Sequence, residues 1–96
     1  MQKKWNDEEL QASVDAYIDM LRKHRAGAHF AKKDYYAELC GTYGRTEKSF
    51  EYRMQNISHV LALMDREWLP GLKPAKNVGS NNEAKIKTML MQAERK

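Results

Sequence analysis

YGRTEKSFEYRMQNISHVLALM, residues 43–64, holds a turn, a helix start and a long apolar stripe in one stretch. Phe50, Met54, Ile57, Leu61 and Met64 recur at spacings of four, three, four and three, which is one face of an α-helix. Val60 and Leu63 are expected to widen that face. Thr46 stands where a side-chain oxygen caps a helix start. Lys48, Tyr52, Gln55, Asn56 and His59 fall largely away from the stripe, and Arg45 with Thr46 precedes the helix. These are side chains that suit phosphates and base edges. Gln and Asn can pair bidentately with adenine, at roughly 1–3 kcal/mol of discrimination per good pair. A helix start with an adjacent base suits phosphate. Each also has a structural reading: Arg53 as a packed stem, Asn56 as a bond to the segment that follows. Glu47 and Glu51 on the same helix repel phosphate unless turned aside or paired with Lys48 or Arg53.

Upstream, WNDEEL opens another helix. Asn6 can cap it, Glu9 completes a capping box, and Trp5 can pack on Leu10 as a hydrophobic staple. Asp7, Glu8 and Glu9 lie where the helix dipole favours acids. Leu10, Val14, Tyr17, Ile18 and Leu21 then form its apolar face. KKDYYAELCG reads as a shorter helix stopped by Gly41, with Tyr36, Leu39 and Cys40 facing inward and Phe30 packing ahead of it. Downstream, LPGLKPAKNVGSNN holds both prolines and reads as a connector of largely extended backbone. Ser80 and Glu83 have capping-box spacing ahead of a last helix, whose apolar members are Ile86, Met89, Leu90 and Ala93. The expected helices are 6–25, 32–40, 46–66 and 81–94, with the connector at 67–80, in a single helical domain over 1–96. No strand pattern or repeat is present.

Ninety-six residues give room for one modest core. The net charge of +4 is unevenly spread. Residues 5–21 hold five acids and no base, residues 22–33 hold five bases and no acid, and from Lys73 onward six bases face two acids. A polarised map of this kind suits one basic face for a polyanion, though proteins that bind none also carry it. No apolar run reaches the roughly 18–20 residues of a membrane span, and the first residues lack the apolar core of a secretion signal. The single cysteine, Cys40, excludes an internal disulfide and fits a reducing cytoplasm. His24, His29 and His59 have no metal-ligand spacing, and no glycine-rich phosphate loop is present. No catalytic residue, metal or cofactor is therefore expected.

WNDEEL at 5–10 and GRTEKSFEYR at 44–53 resemble the Myb/SANT pattern, in which a tryptophan and acids open the first helix and Gly-Arg-Thr opens the recognition helix. Met54 or Ile57 stands where that pattern has a later tryptophan. WNDEELQASVDAYIDMLRK, SFEYRMQNISHVLALM and LPGLKPAKNVGSN together resemble the helical domain at the N-terminus of HNH-type, McrA-like restriction endonucleases. The cysteine–histidine zinc framework and catalytic segment of those nucleases are missing here, so cleavage does not carry over. The resemblance implies an all-α fold, a three-helix Myb-like helix-turn-helix core with a connector and a C-terminal helix. It also implies a DNA-targeting or accessory role beside a partner nuclease. Double-stranded DNA, modified or unmodified, is then the expected partner, met by Arg45, Thr46, Lys48, Tyr52, Gln55, Asn56 and His59. Lys73 and Lys76, with the 22–33 cluster, extend the electrostatic footprint. The competing expectation is a protein-interaction module regulating a nuclease or other DNA enzyme, for which Tyr35, Tyr36, Tyr43 and Tyr52 supply interface side chains.

Overall fold

The computed structural model describes residues 4–95, and these form four helices with no strand among them. Helix α1 spans Asp7–Arg25, α2 Lys32–Tyr43, α3 Glu47–Leu63 and α4 Ser80–Glu94. The start of α1 is the expected capping box: Asn6 Oδ1 accepts from the Glu9 amide at 2.8 Å, and Glu9 Oε1 accepts from the Asn6 amide at 3.1 Å. Thr46 caps α3 by accepting from the Ser49 amide at 3.1 Å. Leu10, Val14, Tyr17, Met20, Phe50, Met54 and Ile57 are fully buried, so the stripes of α1 and α3 meet in one core. Tyr36 and Leu39 close it from α2, Ile86 and Leu90 from α4.

Four local expectations need correction. Gly41 does not stop α2; the helix runs on to Tyr43 and ends at Gly44, whose φ of +75° is the left-handed cap conformation. Tyr43 lies in helical register with its ring 6.5 Å from that of Phe50. Leu63 does not widen the α3 stripe: it is 61 % exposed, and α3 ends there rather than at residue 66. Ser80 and Glu83 make no capping box, since Gly79 occupies the cap position and no side chain caps α4. Trp5 sits edge-on to Phe50, with ring centroids 5.2 Å apart, so its ring partner lies on α3.

The connector lies against α3 and runs antiparallel to it. The Leu69 amide donates to Tyr17 Oη at 2.8 Å, and that hydroxyl pairs with Ser58 Oγ at 2.7 Å. Farther on, the Ala75 amide donates to the Gln55 carbonyl at 3.0 Å, and Tyr52 Oη donates to the Asn77 carbonyl at 3.3 Å. Leu69, Leu72 and Val78 are buried and anchor the segment in the core. Helix α4 is thereby delivered beside α1, where Lys85 meets Asp7 at 2.7 Å. At its other end Glu94 holds Arg66, just past α3, at 2.8 Å. The molecule measures 40 × 28 × 24 Å.

Candidate nucleic-acid interface

The nine residues singled out above separate into those the fold uses and those it leaves at the surface. Arg45 belongs to the fold. Its Nε donates to Glu9 Oε2 at 2.6 Å, and one terminal nitrogen donates to Glu9 Oε1 at 3.1 Å and to the Lys4 carbonyl at 2.9 Å. Its guanidinium carbon lies 4.2 Å from the Trp5 ring centroid. Glu9 is almost wholly buried, so it needs both its cap bond and this cation. Thr46 spends its oxygen on the α3 cap, while its exposed residue surface stays accessible.

Asn56 is fully buried, and this removes it from any base-reading surface. Its Nδ2 donates to the Ala75 carbonyl at 2.7 Å, and its Oδ1 accepts from an Arg53 terminal nitrogen at 3.2 Å. The alternative structural role holds: Asn56 pins the connector to α3. Arg53 likewise takes its packed reading. It is 8 % exposed, with its guanidinium carbon 4.5 Å from the Trp5 ring centroid. Burial, and then the neighbouring Arg45 charge, lower its pKa.

Lys48, Lys73 and Lys76 are exposed and have no ion-pair partner among the described residues. Tyr52 is 41 % exposed and lies one turn beyond Lys48 on α3. Gln55 is half-buried; its carbonyl receives the Ala75 amide, which sets Lys76 beside it in the chain. His59 is half-buried, with Nε2 3.5 Å from a Glu83 carboxylate oxygen. The surface that emerges is the outward side of the first two turns of α3, flanked by the connector. His59 is turned to α4 instead.

Lys32 belongs to the basic run at residues 22–33 expected to extend the footprint. Its Nζ lies 3.0 Å from where a β-carbon on Gly71 would stand, so the start of α2 abuts the connector. Gly71 stands two residues before Lys73 in the chain, and Lys33 follows Lys32 at the start of α2. Only the basic run at residues 22–33 signalled them, because the contact joins segments distant in sequence. Several other bases are matched. Lys23 pairs with Asp19, Arg25 with Glu67, Arg66 with Glu94 and Lys85 with Asp7. Tyr35 Oη donates to Asp19 Oδ2 at 2.6 Å, and this bond chiefly holds the Asp19 carboxyl below its usual pKa. Glu51 acts on Tyr36, whose phenol it helps to raise, so its charge is felt toward α2.

Among the described residues no group of three His, Cys, Asp or Glu side chains is placed to hold a metal ion. No described helix is long and apolar enough to cross a membrane. The chain matches no family model, no curated protein and no solved structure.

Proposed function

We propose that the protein is a non-catalytic module that binds double-stranded DNA, with α1, α2 and α3 serving as a Myb-like helix-turn-helix core. Its role is then that of a targeting or accessory domain, akin to the N-terminal domains of HNH-type restriction endonucleases and acting beside a nuclease. One observation carries this reading: the bases divide by partner. Lys23, Arg25, Arg45, Arg66 and Lys85 are paired within the molecule, whereas Lys32, Lys33, Lys48, Lys73 and Lys76, like Arg22, Lys87 and Arg95, have no ion-pair partner among the described residues. A basic surface without internal counter-charges takes its counter-charges from solution, and a polyanion that displaces those ions gains their release entropy.

In this reading Lys48, Lys73 and Lys76 contact phosphates and set orientation. Tyr52 and Gln55 lie nearest the base edges. Arg45, Arg53 and Asn56 are positioning residues, which hold the α3 start and the connector as one rigid surface. Fluorescence anisotropy with a short labelled duplex tests it. Replacing Lys73 and Lys76 by Ala is expected to weaken all duplexes alike and to lower the slope of log affinity against log salt by about 0.9 per lost phosphate contact. An unchanged slope removes the connector from the interface. No duplex binding by the parent protein at low salt overturns the reading altogether. A second reading, protein docking, is favoured by the exposure of Leu63 (61 %) and Met91 (43 %). It calls for binding to a protein that resists salt.

A further inference from the structure

At the end of α3 far from Lys48 lies an open hollow of about 400 Å³, lined by Met64, Arg66, Lys87, Met91, Glu94 and Arg95. Its first property is an uncovered apolar centre. Met91 is exposed although its chain neighbour Leu90 is buried in the core, and Leu63, which ends α3 next to Met64, is more exposed still. Methionine fits its unbranched, polarizable chain to whatever covers it, so two of them lining one hollow make an adaptable contact surface.

The second property is electrostatic. Lys87, Met91 and Arg95 recur every four residues, which sets two cations and a methionine on one stripe of α4, beside the buried Ile86 and Leu90. Neither cation has an ion-pair partner among the described residues. The one carboxylate in the hollow, Glu94, is engaged by Arg66 at 2.8 Å, and Asp65 also acts on that arginine. Arg95 follows the last turn of α4, where the helix dipole favours a cation; Lys87, two turns back, gains nothing from it.

We propose that this hollow docks an acidic segment of a partner protein, whose apolar side chains cover Met64 and Met91 while its carboxylates meet Lys87 and Arg95. The inference rests on the protein-docking reading and names the partner's chemistry; it does not depend on duplex binding. A second copy of this chain is a poor occupant, because twofold pairing of this face sets cations against cations. DNA answers the cations and leaves the methionines uncovered. The hollow lies about 24 Å from Lys48 along α3, at 1.5 Å per residue, so a partner here leaves the α3 start free.

Fluorescence anisotropy tests the proposal with a labelled amphipathic helical peptide, its leucines recurring every three and four residues with glutamates beside them. The parent protein is expected to bind it, and to bind the same peptide with serine for leucine about tenfold more weakly. Met91→Glu removes the apolar centre and places a carboxylate four residues from both Lys87 and Arg95. That spacing favours the helix, so the variant's melting temperature is expected to equal or exceed the parent's. Its affinity for the leucine peptide is expected to fall about tenfold, with duplex affinity unchanged. Parent-like peptide affinity in the folded variant overturns the hollow as the site and leaves docking elsewhere. No peptide binding by the parent removes both. Equal binding of the serine peptide means that charge alone is read, and overturns the proposal. Loss of duplex affinity in the variant assigns the face to DNA, and a parent dimer in sedimentation that Met91→Glu dissolves assigns it to a second copy; either overturns the proposal.

Discussion

Tyr36 buries its ring in the core and leaves its hydroxyl enclosed, with no hydrogen-bond partner among the described residues. Burial, with smaller contributions from Glu51 and Tyr17, pushes its phenol from the ordinary value of 10.0 up to about 12. The unfolded chain gives up this proton near pH 10 while the folded one keeps it. This group therefore leaves stability independent of pH below about 10 and lowers it as pH rises toward 12. Tyr36→Phe keeps the ring and removes both the unpaired hydroxyl and the titration. It is expected to stabilise the protein at pH 7 by about 1 kcal/mol, and to flatten the fall in melting temperature between pH 10 and 12. Thermal melts across that range check it; a less stable Phe variant means that the hydroxyl has a partner. Asn56 shows what is legible at this scale. Its sequence context allowed either a base reader or a bond to the connector, because an amide suits both. Only the arrival of the Ala75 carbonyl at 2.7 Å decides.

At the scale of the element, local chemistry wrote the helix starts clearly and the stops poorly. Asn6, Glu9 and Thr46 act through atoms three residues away, so their caps can be read from sequence alone. At the end of α2 two glycines compete as the stop, while Tyr43 between them meets Phe50 on another element. Of the two glycines there, Gly41 is inside the helix with open space at its β-position, and Gly44 carries the left-handed turn. Gly41→Ala is expected to stabilise by about 0.5–1 kcal/mol through helix propensity. Gly44→Ala is expected to destabilise by about 1 kcal/mol or more, since a β-carbon disfavours positive φ. Urea denaturation of both variants distinguishes them; the opposite signs would place the stop at Gly41. The connector was visible as a break in pattern, yet its docking was not. Leu69, Leu72 and Val78 share no helical or strand period, and their burial comes only from the groove they enter.

For the whole molecule, the all-helical class and the four elements followed from periodicity, whereas the role of α4 did not. Ile86 and Leu90 are as deeply buried as the core of α3, and Lys85 and Glu94 tie the helix to both its neighbours. Removing residues 79–96 is therefore expected to unfold the rest or leave it molten, with loss of a cooperative thermal transition by circular dichroism. A cooperative three-helix remnant would make α4 an appendage. The same arrangement gives the protein two optical probes at opposite ends of α3. Trp68 lies half-buried beyond the helix end, and Trp5 near its start carries two guanidinium groups on its ring. Collisional quenchers sense that difference: iodide is drawn toward the Trp5 indole and caesium is held off. The emission of Trp5 thus reads the local potential directly, and an anion settling nearby is registered as lost iodide quenching.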